Sequence, residues 1–348
     1  MKLNLQNNQL PEIFIKYQEI IQQSLRPALS LDHGELNLLS HYQMGWVDEN
    51  GNNSTGSSGK ALRPSLCLLA CEAVGGQINL AVPLAIALEI IHNFSLVHDD
   101  IQDEDLLRRH RPTVWAVWGK KLALIAGNAM RTSADMNIYS LRSLGTTSDR
   151  VIYAINLLTE RYLEMIEGQY QDISFEKRTD VSTQEYLDMV EKKTGSLIEA
   201  ALHMGAYIGS ATTNQVSALG KFGKLIGLGF QVRDDMLGIW GNTKSTGKGH
   251  GSDISRKKQA LPVLYAFEYG TISTRQTMAT IYKKPILTPR DISKVIDILN
   301  RLNAQEYCQK IAENYMNQAL NALKEANLSD KWEKSFQQLA HFMVLREF

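Results

Sequence analysis

Net charge is the first thing this chain lacks: 37 Lys and Arg balance 37 Asp and Glu over 348 residues. A whole-molecule field that would gather nucleic acid or an anionic membrane is excluded, so any strong field must come from local clustering. Cysteine is scarce as well. Cys67, Cys71 and Cys308 match no metal-ligand spacing and no disulfide framework. Cys67 and Cys71, one helical turn apart in "LRPSLCLLACEAVGG", read as buried core thiols. The N-terminal "MKLNLQNNQL" has no apolar centre of the signal-peptide kind, and no window reaches the roughly 18 uninterrupted apolar residues of a membrane span. The expectation is a cytoplasmic protein in a reducing compartment, with no nucleic-acid partner and no membrane anchor.

Strand signals are nearly absent, and the eight prolines fall mostly near apparent helix ends. Helical spacing is present almost everywhere else. "LPEIFIKYQEIIQQSLRPAL" places Ile13, Ile15, Tyr17, Ile20, Ile21 and Leu25 on roughly one side, and "RVIYAINLLTERYLEMIEGQYQDISF" and "TQEYLDMVEKKTGSLIEAALHMGAYIG" predict long helices. The fold class is all-α. No Pro-, Gly- or Ser-rich linker divides the middle of the chain, so 1–348 reads as a single domain. Two Gly-rich breaks stand out, 41–64 and 240–262, and loops of that length in a compact domain are usually functional or disordered.

The chemistry sits in two carboxylate clusters. In "ALEIIHNFSLVHDDIQDEDLLRRHRPTVW" an apolar helix ends on Asp99, Asp100 and Asp103. Asp99 and Asp103 are one turn apart on one face, with Asp100 turned about 100° away. Two carboxylates at that spacing suit Mg²⁺, a hard cation that keeps waters for a phosphate to displace. A merely solvated helix end fits poorly, because the preceding segment is apolar nearly all round. "FGKLIGLGFQVRDDMLGIWG" repeats the device with Asp234 and Asp235. An ion pair with Arg233 would explain Asp234 alone, but not both clusters. Two buried helices with aspartates at matching ends can face each other across a cavity, with roughly two to three Mg²⁺ ions offsetting the repulsion.

Together with "GKALRP" (59–64), "EGQYQD" (167–172), "EKKTGSL" (191–197) and "GKGHGSDISRKKQALPVL" (247–264), these segments resemble the ordered motifs of the trans-isoprenyl diphosphate synthases, the polyprenyl synthetases. The resemblance runs from about residue 59 to about 265. It implies a helical bundle of the isoprenoid synthase type around a deep apolar cavity. The implied reaction is head-to-tail condensation of isopentenyl diphosphate with an allylic diphosphate by a homodimeric enzyme. It implies Asp99, Asp103 and Asp234 as Mg²⁺ ligands and Asp100 and Asp235 as supporting acids, with Asp172 on a metal-bound water. Lys60, Arg63, His92 and Arg109 are implied around isopentenyl diphosphate. Arg108, Lys193 and Lys248 fall to the allylic diphosphate, with Lys258 nearby. Thr194 and Gln231 would lie beside the reacting carbons. Taken alone, His92 is as well explained as a core histidine and Lys258 as a solvated lysine in "RKKQ".

Three departures mark this chain. Gly238 stands where the second motif usually ends in aspartate. His110 replaces the glycine of the arginine motif and is expected to point to solvent. The 41–58 segment is long and reads as a flap over bound diphosphate. Phe94, five residues before Asp99, followed by Ser95, is the combination the family uses to floor a cavity of moderate depth. It implies geranylgeranyl diphosphate (C20), with farnesyl diphosphate (C15) the alternative. A class I terpene cyclase would leave the second diphosphate's bases without a job. A regulatory synthase subunit would be expected to lose one or both aspartate motifs, and a purely structural helical protein leaves both clusters unexplained.

Overall fold

The computed structural model describes residues 12–30, 34–54, 59, 61–176, 178, 180–241 and 250–346. It is all-α apart from one two-stranded hairpin. Two compact units are distinguished, Glu12–Thr159 with Ala200–Val216, and Glu160–Glu199 with the chain from Ser217 onward.

In the first of these, α1 (Glu12–Leu29), α3 (Leu62–Ala73) and α5 (Val114–Tyr139) pack on α4 (Ile78–Gln102), and α2 (Glu35–Gln43) packs on α5 and α1. By length and hydropathy α4 could cross a membrane, yet 72% of its apolar window is buried in the protein. Leu84, Ala85, Ile86, Ala87, Leu88, Ile90 and Ile91 are covered all round, the pattern of a central core helix. Gly127 of α5 admits this close packing, because a Cβ there would stand 2.4 Å from His98 Nε2 and 3.2 Å from the Phe94 ring. The buried face of α1 is Phe14, Tyr17, Ile21, Leu25 and Leu29, while Ile15, expected on that face, is exposed. The true stripe steps by three and four residues from Phe14, and the expected one counted a residue from the other side. Cys67, Cys71 and Cys308 are buried free thiols.

The chain leaves α4 by a sharp reversal, with Asp103 as C-cap and Glu104 in the left-handed region (φ 54). It then forms the antiparallel pair β1 (Leu107–Arg108) and β2 (Arg111–Pro112). Arg109 (φ 51) and His110 (φ 63) make the connecting turn, the two-residue hairpin geometry in which both central residues have positive φ. Asp105 anchors the return, its carbonyl accepting from Thr113 Oγ1 (2.8 Å) and Trp115 Nε1 (2.9 Å). Of the expected 41–58 loop, 41–43 instead close α2, because the apolar period continues that far. Residues 46–54 are folded on themselves by a Val47–Asn53 bridge and by Asp48 Oδ1, which accepts from the Asn50 and Asn52 amides. Residues 55–58 lie outside the described residues.

The other unit carries the latter parts of α6 (Ser148–Phe175) and α9 (Thr213–Trp240), with α7 (Thr183–Val190), α10 (Ser252–Ser255), α11 (Leu261–Tyr269), α12 (Ile272–Tyr282), α13 (Pro289–Arg301), α14 (Ala304–Glu325) and α15 (Asp330–Leu345). Helix α7 starts at a capping box in which Ser182 Oγ accepts from the Glu185 amide and Glu185 accepts from the Ser182 amide, satisfying two donors that a helix start leaves open. It runs into a π-helical turn, Glu191–Gly195, and then into α8 (Ser196–Ile208). Wide turns of this kind re-aim side chains and recur at functional sites. Here the turn carries Lys193 and Thr194. Two glycines make room for it: a Cβ at Gly168 would lie 2.4 Å from Lys193 N, and one at Gly227 would lie 3.0 Å from Gly195 Cα.

Candidate active site

Around the first carboxylate cluster, Asp103 donates its backbone N–H to the Asp99 carbonyl (2.8 Å) and keeps a helical conformation. Asp99 and Asp103 therefore stand one turn apart on the same side of the helix end, as the spacing predicts. Asp100 is turned inward and buried, and its Oδ1 accepts from Arg108 Nε and Nη2, both at 2.8 Å. Its Oδ2 is buried without a hydrogen-bond partner among the described residues. Burial pushes the Asp100 carboxyl up to about 6; Arg108 works against that rise, and Asp105 and Asp103 add to it.

A group of bases lies along the same unit. Arg109 reaches the backbone of Gly59, since a Cβ there would meet its guanidinium at 2.6 Å. The Nε of Arg63 is buried with no hydrogen-bond partner among the described residues. His92 is held far below the usual histidine range by burial and then by Arg63, Arg109 and Arg108, so its imidazole is neutral. Glu89, which no motif marks, is buried among these cations; it accepts from Asn93 Nδ2 at 3.0 Å. Burial raises its carboxyl while Arg63, Asn93 and Arg109 oppose the rise. The signal available was a single acid one helical turn from His92 in "ALEIIHNF". Lys60 lies outside the described residues. His110 is exposed at the tip of the hairpin, as expected.

Phe94 is buried, edge-to-face against His98 with ring centroids 4.6 Å apart. Ser95 is partly buried, its hydroxyl donating to the His92 carbonyl at 2.8 Å.

In the other unit Asp234 pairs with Arg346, while Arg233 Nε donates to the Arg346 carbonyl (2.6 Å) and its Nη1 donates to Gln309 (3.0 Å). Arg346 also stacks over the Phe230 ring at 4.0 Å, which holds the planar cation in place. Asp235 is fully buried. It accepts from the Tyr186 hydroxyl, from the Leu261 amide (3.1 Å) and from Gln231 Nε2 (3.1 Å). Burial raises its carboxyl, against Lys258, Tyr186 and the Leu261 amide. Thr194 Oγ1 donates to Gln231 Oε1 at 3.1 Å, so these two expected partners are brought together. Lys193 Nζ pairs with Asp172 at 2.5 Å.

Lys258 is exposed, as the solvated reading has it, but it also faces two carboxylates. Its ammonium lies 3.9 Å from both Asp235 Oδ1 and Asp253 Oδ2. Partial desolvation opposes its charge, but Asp235, Asp253, Asp172 and Asp234 together raise it well above the ordinary lysine value. The missing last aspartate of the second motif also has a reason. A Cβ on Gly238 would lie 2.2 Å from Asp253 Oδ2, so another carboxylate already fills that space. Lys248 lies outside the described residues.

Among the described residues no group of three or more His, Cys, Asp or Glu side chains forms a protein-only metal cage. Mg²⁺ bound with a diphosphate needs none, because it takes one or two carboxylates and keeps the remaining positions for water and phosphate oxygen. The paired Asp99 and Asp103 fit that donor set, and the partnerless Asp100 oxygen is left to accept from a water. A cavity of about 350 Å³ between α12 and α13 is lined by Ser273, Thr277, Lys294 and Arg301, among others, and holds none of the expected site residues.

Residues 44–299 match the model of the polyprenyl synthetase family. The chain is 35% identical over 332 residues to a (2E,6E)-farnesyl diphosphate synthase of Mycobacterium tuberculosis, covering 94% of this chain and 91% of that protein. It is 34% identical over 303 residues to a geranylgeranyl diphosphate synthase of the same organism, covering 87% and 85%. The crystal structure of a polyprenyl synthetase from Streptomyces coelicolor superposes with a TM-score of 0.90 at 33% identity, covering 96% of this chain and 99% of that one.

Proposed function

The chain belongs to the polyprenyl synthetase family and is a trans-prenyltransferase, and we propose that it condenses isopentenyl diphosphate head to tail with an allylic diphosphate to give geranylgeranyl diphosphate. The observation that carries the product length is Phe94. Five residues before Asp99, its ring is buried against His98 and closed in by Gly127, where a bulky aromatic limits the room for a growing chain. Farnesyl diphosphate is the second reading, favoured by the 35% identity to a farnesyl diphosphate synthase.

Asp99, Asp103 and Asp234 are proposed to hold Mg²⁺, roughly two to three ions sharing the diphosphate charge with these few carboxylates. When bound, the ions supply positive charge to the negative charge that grows on the leaving diphosphate. The remaining roles fall to the chain's own groups. Lys60, Arg63, Arg109 and neutral His92 bind isopentenyl diphosphate, to which the buried Arg63 Nε offers an unused donor. Arg108, Lys193 and Lys248 bind the allylic diphosphate, with Lys258 beside them. Arg108 is aimed by its two bonds to Asp100, and Lys193 by Asp172. The oxygens of Thr194 and Gln231 steady positive charge on the allylic carbons without capturing it.

We read 1–348 as one catalytic domain, since the family match runs through both compact units. A homodimer is supported by large apolar side chains left exposed on α5 and α6, among them Ile125, Met136, Tyr139 and Leu163. A cytoplasmic location is supported by three cysteines that remain free thiols. The test is product sizing. Supplied with C5, C10 and C15 primers, the protein is expected to yield a C20 alcohol after dephosphorylation, and Phe94→Ala to yield longer ones. C15 accumulating and being refused as primer would replace the product by farnesyl diphosphate, and an unchanged length in Phe94→Ala would remove Phe94 as the floor.

A further inference from the structure

Four buried or half-buried side chains form a single hydrogen-bonded line in which each proton has one place to go. Asp235 is fully buried, and a carboxylate can only accept. The end of the Gln231 amide that faces Asp235 Oδ1 at 3.1 Å must therefore be its NH₂. That leaves the amide oxygen at the other end, where it accepts the Thr194 hydroxyl at 3.1 Å. A threonine hydroxyl has one proton. With that proton committed to Gln231, the other directions around Thr194 Oγ1 carry lone pairs.

The reverse arrangement is equally good sterically and wrong electrically. Were the amide turned over, its NH₂ would face Thr194, the hydroxyl would accept, and its proton would be free to point at the substrate. A carbocation needs oxygen lone pairs and is repelled by that proton. What prevents the reversal is the accepting oxygen that Asp235 turns to the amide, and what holds Asp235 is Tyr186.

We propose that Tyr186 is a positioning residue for prenyl transfer: by bonding Asp235 it fixes the sense of the Gln231 amide, and through it directs the Thr194 hydroxyl so that lone pairs face the allylic carbons. This rests on the prenyl-transfer reading above. Tyr186 is 2% exposed, and its hydroxyl donates to Asp235 Oδ2, the oxygen that also takes the Leu261 amide at 3.1 Å. The phenol stands on α7, just ahead of the π turn that carries Thr194, while Asp235 and Gln231 stand on α9. The line thus joins two helices at two points and closes a ring through the backbone. Burial, reinforced by Asp235, keeps the phenol protonated well beyond the usual tyrosine range, so it remains a donor at any working pH.

The experiment is a double-mutant comparison by steady-state kinetics with Mg²⁺, isopentenyl diphosphate and a C15 primer, with thermal melting alongside. Tyr186→Phe keeps the ring and removes the donor. It is expected to lower kcat about tenfold, as for one transition-state contact misdirected, with KM for both diphosphates within about twofold of wild type. In a Thr194→Val background the same change is expected to cost less than about twofold, because no hydroxyl remains to be directed. Asp235→Asn, which offers the amide an NH₂ and permits the reversed line, is expected to lose more kcat than Tyr186→Phe, again at little changed KM. An equal loss with and without the Thr194→Val change, tracking a lowered melting temperature, would mean that Tyr186 only supports the fold and would overturn the proposal. So would an unaltered kcat for Tyr186→Phe in an active enzyme. A wild-type protein that consumes no isopentenyl diphosphate would instead overturn the prenyl-transfer reading itself.

Discussion

The two aspartate clusters are written alike in the sequence and are held in unlike ways. At the first, the buried Asp100 is bound by Arg108, eight residues further on. At the second, the buried Asp235 is bound by Tyr186 and Leu261, 49 and 26 residues away, and Asp234 pairs with Arg346 across 112 residues. The first cluster therefore carries its support within one motif, while the second borrows it from distant segments. Asp100 keeps one oxygen without a partner among the described residues, whereas both oxygens of Asp235 are used. A neighbour-poor carboxylate keeps an oxygen for a water to meet, and a saturated one is poised to orient what surrounds it.

The sharpest way to break this comparison is to remove charge from each position in turn. Asp99→Asn is expected to cost at least about 10³-fold in kcat/KM, because a proposed ligand of the metal on the leaving group is lost. Asp100→Asn is expected to cost only about tenfold, since it loosens Arg108 and leaves the ligands in place. Equal losses at the two positions, measured under saturating Mg²⁺, would erase the distinction drawn between ligand and support.

Next in size is an attempt to repair the second motif. Gly238→Asp restores the family pattern, but its Cβ would collide with the Asp253 carboxylate and set two acids together. The expected result is a loss of about 2 kcal/mol or more in stability, read as a melting temperature several degrees lower, and reversed in part by Asp253→Ala. A stable and more active Gly238→Asp would show that the space is available after all.

A smaller effect is expected at Arg346. Its guanidinium pairs with Asp234, a proposed Mg²⁺ ligand, so Arg346→Ala should lower the Mg²⁺ concentration for half-maximal activity severalfold, by less than the tenfold that about 1.4 kcal/mol would give. An unchanged or raised value would mean that the pair positions Asp234 for metal and does not compete with it. Smallest is His110→Gly. His110 sits exposed at φ 63, a conformation that costs a side-chain-bearing residue about 1 kcal/mol. Glycine should therefore raise the melting temperature slightly and leave turnover alone.

The same contrast between near and distant support explains how much was legible in the amino-acid sequence. The helices were legible because apolar spacing reports burial directly, and α4 announced itself as a core helix by being apolar on every side. Asp99 and Asp103 were legible because a one-turn spacing is local. The hairpin after them was not, since its strands are two residues each and its turn uses Arg109 and His110 without the glycine that usually signals positive φ. On α1 the face was legible at Tyr17, Ile21 and Leu25, while Phe14 was missed and Ile15 counted in its place. The π turn has no sequence mark of its own; its trace is the pair Gly168 and Gly227, which admit it from neighbouring helices. Tyr186 looked like one more apolar position on a helix, and only its distant meeting with Asp235 gives it a task. What was hidden was long-range and polar, and what was plain was local or apolar.

The central claim, that these clusters serve one condensation, is tested most directly by incorporation of labelled isopentenyl diphosphate into acid-labile product. The protein would be supplied with an allylic primer and Mg²⁺, with parallel reactions lacking primer or containing excess chelator. The account predicts incorporation that requires both primer and Mg²⁺ and that fails in Asp99→Asn. Incorporation without either requirement, or none at all from the intact wild-type protein, would contradict it.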